Sequence, residues 1–297
     1  LVFGLCWQYD ETEPVDMFDN NPQFRVGKYH YSESQGLGWA RHITNTLYDG
    51  EEFTLQIDSH HRFVQDWDLE LIEMYNQLKE KGHEKPLLTG YVSSFDPDND
   101  PAGRIQTPWK MNFDRFIPEG AVFFLPASID NYKQLTEPIP ARFYSAHFAF
   151  TTGDFVKEVP HDPEYYFHGE EISIAVRAYT WGYDLFHPHK IVAWHEYTRK
   201  GRRKQWDDDN KWVTRNLECH KRNRKLFEMD GEVKDIDFGV YDFGTVRTLG
   251  DYEKYSGLLF EKRAIDKHCL DKQYPPSPYN FETEEEWKNS FATIYKH

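Results

Sequence analysis

The alternation of apolar and polar residues predicts a strand from Phe53 to Ile57, because Phe53, Leu55 and Ile57 share one face. Asp58 and His60 follow directly at the end of this strand. Side chains two residues apart on a strand point the same way, so we expect the carboxylate and the imidazole to lie side by side. Such a pair can bind one divalent cation, and open α/β sheets place ligands at the carboxyl ends of strands. An isolated Asp-x-His pair is also common in loops that bind nothing.

Strands and helices are predicted to alternate through the first two thirds of the chain. A uniformly apolar run at residues 1–6 predicts a buried first strand, and further strands are predicted at residues 85–92, 121–125, 144–151 and 190–194. Helical spacing or capping signals predict helices at residues 39–47, 67–82, 169–182 and 211–227. Strand-helix-strand units form parallel sheets, so we predict an α/β fold with a mostly parallel central sheet. The composition becomes polar and charged near residue 206, so we expect a first domain at 1–205 and a C-terminal extension at 206–297 packed on it.

Two further groups of polar residues are candidates for a site shared with Asp58 and His60. Glu170 and Glu171 stand at a predicted helix start, although acidic residues also favour any first helical turn. His195 ends a predicted strand, which is also ordinary for a histidine. A basic cluster follows it and could equally be a solvated loop: Arg199, Lys200, Arg202, Arg203 and Lys204. A carboxylate, two imidazoles and several cations together suit a metal-bound diphosphate.

Composition narrows the classes of function. The net charge of −15 argues against a general nucleic-acid-binding protein, because phosphate backbones require a cationic face. No apolar run approaches the roughly 18 residues of a membrane-spanning helix. The 3 cysteines are scattered and lack the spacing of a metal site, so we expect a reducing compartment, the cytoplasm. The chain starts inside an apparent strand, which leaves room for a segment upstream of Leu1.

Several motifs occur in a fixed order and together carry a family resemblance. They are residues 56–63 with Trp67-Asp68, residues 168–172, residues 180–184, His195-Glu196-Tyr197 with Arg199, and residues 243–249 with Tyr252-Glu253. With these motifs the chain resembles the polypeptide and Skp1-type α-N-acetylglucosaminyltransferases, enzymes of the GT-A fold. The resemblance runs from about Phe3 to Gly257, and the ordered set is more specific than any one motif.

The resemblance implies a Rossmann-like GT-A catalytic domain at residues 1–205. It also implies an enzyme that transfers N-acetylglucosamine from a UDP-sugar to a protein or glycan hydroxyl, with retention and an α-linkage. In the family pattern Asp58-Ser59-His60 takes the place of an Asp-x-Asp element. Asp58, His60 and His195 are therefore the implied ligands of Mn²⁺ or Mg²⁺.

Charge suggests roles for the remaining candidates. Cleavage of the bond between the sugar and the phosphate leaves negative charge on UDP, which Arg199 and Lys204 would stabilise beside the metal. Arg41 is expected to contact the nucleotide or diphosphate, and Arg62 is a weaker candidate for the same contact. Of the two acidic residues, Glu171 is preferred over Glu170 as the catalytic residue. It would orient the sugar hydroxyls or face positive charge on the sugar.

The residues alone do not exclude functions from other classes. A metal hydrolase built on Asp58, His60 and His195 would use Glu171 as a general base. A sugar-binding module without catalysis and an acidic scaffold protein are further alternatives. Binding of UDP separates the first of these from a transferase, because a hydrolase has no reason to bind uridine.

Overall fold

The structure is a computed structural model that describes residues 1–14, 16–198 and 204–293. Its strands are β1 (Phe3–Tyr9), β2 (Phe24–His30), β3 (Phe53–Ile57), β4 (His61–Phe63), β5 (Pro86–Thr89), β6 (Ser93–Ser94), β7 (Trp109–Phe116), β8 (Val122–Ser128), β9 (Ile139–Pro140), β10 (Phe148–Thr152), β11 (Asp184–His187), β12 (Ala193–His195), β13 (Leu258–Leu259), β14 (Ala264–Ile265) and β15 (Ala292–Thr293). Its α-helices are α1 (Leu37–Thr46), α2 (Trp67–Glu80), α3 (Phe155–Glu158), α4 (Glu170–Thr180), α5 (Gln205–Asp208), α6 (Trp212–Leu226), α7 (Leu249–Ser256), α8 (Lys267–Leu270) and α9 (Glu284–Asn289). The predicted α/β class is confirmed.

The central sheet has five strands in the order β3-β10-β5-β11-β9. Only the β5–β11 pair is parallel, and β10 runs antiparallel to both of its neighbours. The prediction of a mostly parallel sheet is therefore wrong. Parallel neighbours need a crossover, usually a helix, whereas the fully described segment between β5 and β10 contains the hairpin of β7 and β8 and no α-helix.

A second, three-stranded sheet has the order β4-β12-β6. Its middle strand, β12, runs antiparallel to β4 and parallel to β6. The pairing of β4 with β12 places His61 opposite His195 and Arg62 opposite Trp194. Two stretches that lie more than a hundred residues apart in sequence are thereby held side by side, and this small sheet carries part of the site.

The first strand differs from the prediction. Strand β1 pairs with β2 in parallel as a separate two-stranded sheet, outside the central one. Leu1 is 74% exposed and Phe3 is 39% exposed, so the expectation of a buried strand is wrong. An apolar run is buried only where layers cover both of its faces, and the sequence pattern does not report how many layers are present.

Period-two alternation along the central strands divides the core into two layers. Leu88, Phe150 and Phe186 pack with α2 on one face of the sheet. Leu87 and Leu185 point to the opposite face, where they join the apolar residues of α4. This second layer also contains apolar residues from α6 and from the chain beyond it: Leu226, Phe227, Tyr252, Phe260 and Ile265. The C-terminal residues thus share one core with the central sheet, and a domain boundary at residue 205 stays a prediction.

Among the described residues, no helix combines the length and the apolar composition that crossing a membrane requires.

Candidate functional site

Two strand ends bring together the three residues proposed from the sequence as metal ligands. Asp58 follows the last residue of β3, and His195 is the last residue of β12. The Oδ2 atom of Asp58 lies 3.5 Å from Nε2 of His195 and 3.8 Å from Nε2 of His60. One ligand atom from each of the three residues lies within 4.8 Å of the others. This spacing lets all three contact one ion.

His195 is 6% exposed, and neither of its ring nitrogens makes a hydrogen bond within the described part of the chain. Burying a polar atom without a hydrogen bond is costly, and a cation bound at one of these nitrogens would remove part of that cost. Two imidazoles and one carboxylate form a donor set that suits Mn²⁺ and related divalent ions. The residues present therefore fit a divalent cation.

Two further histidines surround His195, and the sequence reasoning did not single them out. The ring of His147 stacks on that of His195 with centroids 4.3 Å apart, and the ring of His61 lies 4.8 Å away. The backbone N–H of Val92 donates to Nε2 of His147 at 3.4 Å. Burial lowers the pKa of His147 well below its usual value and lowers that of His61 to about 4. Both rings are neutral at pH 7.

The register of the central sheet explains why His147 lies here. Phe148 of β10 pairs with Ile57 of β3, so the residues just outside this pair, His147 and Asp58, meet at the same sheet edge. In the sequence His147 is a single histidine before an apolar strand. Only the pairing of β10 with β3, which is antiparallel and was not predicted, brings it to the site.

Asp58 is held as a carboxylate. Burial alone would raise its pKa, but the contact with His195 and the positive charge of Arg41 outweigh burial. The pKa of Asp58 therefore lies well below its usual value. One terminal nitrogen of Arg41 donates a 2.9 Å hydrogen bond to Oδ1 of Asp58. The negative charge that a cation needs is thus present throughout the neutral pH range.

Glu170 and Glu171 are neighbours in sequence with different surroundings. Glu170 is 3% exposed and binds the guanidinium of Arg41, and Nδ1 of His161 lies 3.3 Å from its Oε1. Burial would raise the pKa of Glu170, but the charge of Arg41 and the contact with His161 keep it below its usual value. Glu170 is therefore an ionised partner of a buried arginine.

Glu171 accepts two hydrogen bonds. The backbone N–H of Ala146 donates to its Oε1 at 3.0 Å, and the hydroxyl of Tyr91 donates to its Oε2 at 2.9 Å. Burial raises the pKa of Glu171 to about 7, although both hydrogen bonds act to lower it. A carboxyl group with this pKa can hold or release a proton near neutral pH, as acid–base groups in active sites do. Tyr91 was not recognised from the sequence.

The basic residues that were predicted to contact the nucleotide or its diphosphate differ in their surroundings. Arg41 is 4% exposed between Glu170 and Asp58. Arg62 is exposed; its Nε lies 3.4 Å from Oδ2 of Asp100, and its guanidinium lies over the ring of Phe95. Lys204 is exposed, with its Nζ 5.8 Å from the ring centroid of Trp206. Arg199 falls outside the described residues, so its contact with a diphosphate stays a prediction, as do those of Arg41, Arg62 and Lys204.

A family model described as "Glycosyltransferase (GlcNAc)" matches residues 5–262 of the chain. The chain belongs to this family. The resemblance drawn from the ordered motifs is thereby confirmed at the level of a GlcNAc glycosyltransferase.

No curated protein sequence matches this GlcNAc glycosyltransferase. It is similar to a solved structure described as "Crystal structure of GalNAc-T7 with UDP, GalNAc and Mn2+", with 14% sequence identity and a TM-score of 0.46. The similarity covers 80% of this chain and 43% of that chain. The chain therefore spans less than half of the length of that solved protein.

Proposed function

We propose that this glycosyltransferase moves N-acetylglucosamine from a UDP-sugar to a hydroxyl group of a protein or glycan, with a divalent cation bound by Asp58, His60 and His195. The observation that supports it most directly is the convergence of the three ligand atoms within 4.8 Å. They lie beside a buried arginine, and His147 and Tyr91 connect them to Glu171, a carboxyl group with a pKa of about 7. Retention, the α-linkage and the GT-A arrangement belong to this proposal and rest on the motif resemblance.

The cation would neutralise the negative charge that develops on the diphosphate as the sugar leaves. The protein's own contribution is to hold three ligand groups in place before the substrate arrives. Asp58 stays ionised because of His195 and Arg41. His195 is held by the stacked ring of His147. A rigid ligand set of this kind loses little conformational entropy when a cation and a diphosphate bind.

Glu171 is proposed as the residue that acts on the sugar. Its two hydrogen bonds, from Ala146 and Tyr91, hold the carboxyl group in one orientation. With its proton released, the group can accept a hydrogen bond from a sugar hydroxyl or face the positive charge that develops on the sugar ring. Such an interaction is stronger in the transition state than in the ground state, so it accelerates the reaction.

We also propose Mn²⁺ as the preferred ion and a cytoplasmic location. Two imidazoles make the ligand set softer than a set of oxygens alone, which favours Mn²⁺ over Mg²⁺. The 3 cysteines, Cys6, Cys219 and Cys269, are free, which suits a reducing compartment.

The donor can be identified with a thermal-shift panel. The protein is heated with UDP-N-acetylglucosamine, UDP-N-acetylgalactosamine, UDP-glucose, GDP-mannose or free N-acetylglucosamine, each with Mn²⁺ and with EDTA. We expect the largest increase in Tm for UDP-N-acetylglucosamine with Mn²⁺, and a much smaller one for free N-acetylglucosamine. Equal stabilisation by the free sugar, or by GDP-mannose, would contradict the proposed donor.

A further inference from the structure

Arg41 connects two carboxylates that come from distant parts of the chain. It lies on α1, and one terminal nitrogen binds Glu170 at the start of α4, 129 residues away. The other terminal nitrogen donates to Oδ1 of Asp58 at 2.9 Å. The guanidinium is a planar fork with fixed donor directions, so these two bonds determine each other's geometry.

The bond to Arg41 gives the two carboxylate oxygens of Asp58 different contacts. Oδ1 accepts the hydrogen bond from Arg41, while Oδ2 faces His195 at 3.5 Å and His60 at 3.8 Å. Rotation of the carboxylate would break the bond to Arg41. The arginine thus keeps one oxygen directed towards the two imidazoles.

Glu170 balances the positive charge of Arg41. Arg41 is 4% exposed and Glu170 is 3% exposed, so water screens neither of them well. Alone, the cation of Arg41 would offset the charge of Asp58 and repel a second cation nearby. Paired with Glu170, Arg41 is neutralised, and the negative charge of Asp58 remains available.

We propose that Glu170 is a positioning residue: by neutralising and orienting Arg41, it holds the Oδ2 atom of Asp58 ready for a divalent cation. This inference rests on the proposed function, because it takes Asp58 as a ligand. It gives Arg41 and Glu170 one joint role, distinct from the nucleotide contact and the catalytic role that the sequence suggested. Mutation of a residue that hydrogen-bonds a metal ligand typically costs about 10- to 100-fold in metal affinity, and Arg41, through which Glu170 acts, is such a residue.

The test measures binding of Mn²⁺ alone to the full chain, by electron paramagnetic resonance of the free ion at pH 7.5 without nucleotide. We expect Glu170→Gln to raise the Kd for Mn²⁺ at least about 10-fold. Glu170→Asp, which keeps the charge, should recover part of this loss. Glu171→Gln is the matched control: it neutralises the adjacent carboxyl group and should leave the Kd for Mn²⁺ within about twofold of wild type.

A double-mutant cycle tests whether Glu170 acts through Arg41. Arg41→Lys keeps the positive charge but loses the fork, and it should also raise the Kd for Mn²⁺. Combined with Glu170→Gln, the two effects should be clearly non-additive, because both changes remove the same arrangement. Circular dichroism of each variant in EDTA confirms that the fold is retained. If Glu170→Gln does not fold, the comparison of Glu170→Asp with wild type and Glu171→Gln replaces it.

The outcomes separate this inference from the proposed function. Absence of Mn²⁺ binding to the wild type would contradict the proposed metal site itself. Tight binding by the wild type with an unchanged Kd in folded Glu170→Gln or Glu170→Asp would overturn only the positioning role. A loss of kcat in Glu170→Gln with unchanged Mn²⁺ affinity would also overturn it, because it would show that Glu170 acts on the substrate.

Discussion

The hydroxyl of Tyr91 donates a 2.9 Å hydrogen bond to Oε2 of Glu171. The ring of Tyr91 also stacks on His147 at 5.1 Å, and His147 stacks on His195 at 4.3 Å. An unbroken series of contacts therefore joins the carboxyl group of Glu171 to the candidate metal ligands. The carboxyl group and the candidate ligands are therefore linked through two intervening side chains, Tyr91 and His147.

Replacement of Glu171 by glutamine should separate catalysis from binding. Glutamine keeps the shape of the side chain but cannot carry charge, so we expect kcat to fall at least about 100-fold. The Kd for UDP with Mn²⁺ should stay within about twofold of wild type, because the residue is proposed to act on the sugar. Steady-state kinetics and calorimetry measure the two quantities. Unchanged turnover in Glu171→Gln would mean that the residue only begins a helix.

The same carboxyl group should give the activity a pH dependence. If the ionised form acts, kcat rises with pH through about 7, the value to which burial raises the pKa of Glu171. The hydrogen bond from Tyr91 lowers this pKa, so Tyr91→Phe should raise it further and move the rising limb to higher pH. The control is the Kd for Mn²⁺, which should not change. A profile that is identical in wild type and Tyr91→Phe would exclude this role for the hydroxyl.

Glu171 should also make stability depend on pH. Its pKa is about 7 in the folded protein against an ordinary 4.5, so between these values the folded state holds a proton that the unfolded chain releases. Its contribution to stability is therefore fully present below about pH 4.5 and is lost as the pH rises through about 7. In EDTA, the stability of wild type relative to Glu171→Gln should fall by roughly 2 kcal/mol from pH 5 to pH 8.

Urea unfolding at each pH measures this difference. The pKa of Glu253 is raised by burial to about 7 as well, but Glu253 is present in both proteins and cancels in the comparison. Two parallel stability curves across this pH range would show that Glu171 has an ordinary pKa.

His195 and His220 form a matched pair for testing the metal site. Both are buried, at 6% and 3% exposure, and within the described residues neither ring makes a hydrogen bond. His195 belongs to the cluster with Asp58 and His60, whereas His220 lies on α6. We expect His195→Ala to raise the Mn²⁺ concentration needed for half-maximal activity at least about 10-fold, and His220→Ala to leave it unchanged. Equal titrations for the two variants would remove His195 from the ligand set.

Local sequence signals located the elements that carry the site. The strand 53–57 agrees with the structure to the residue, the helix predicted from residue 169 begins at Glu170, and β12 ends at His195 as predicted. Alternation, helix capping and strand ends depend on neighbours in sequence, so they can be inferred from one chain. These signals placed Asp58, His60 and His195 at element ends, where ligands usually lie.

The residues that were missed depend on tertiary pairing. His147 reaches the site because β10 inserts antiparallel beside β3, and Tyr91 does so because its hydroxyl meets Glu171 across 80 residues. Neither fact leaves a pattern in the sequence. The pairing of Arg41 with Glu170 is likewise long-range, so a helix position alone could not distinguish a buried ion pair from a nucleotide contact.

The most direct test of the central claim is calorimetric titration of UDP into the wild type and Asp58→Asn, each with Mn²⁺, with Mg²⁺ and with EDTA. Asparagine keeps the size of the side chain but removes the charge that the cation needs. The account predicts that Mn²⁺ tightens UDP binding to the wild type at least about 10-fold, more than Mg²⁺ does, and that this gain disappears in Asp58→Asn. Equal affinity of the wild type for UDP in Mn²⁺ and in EDTA would contradict a metal-dependent transferase site at Asp58, His60 and His195.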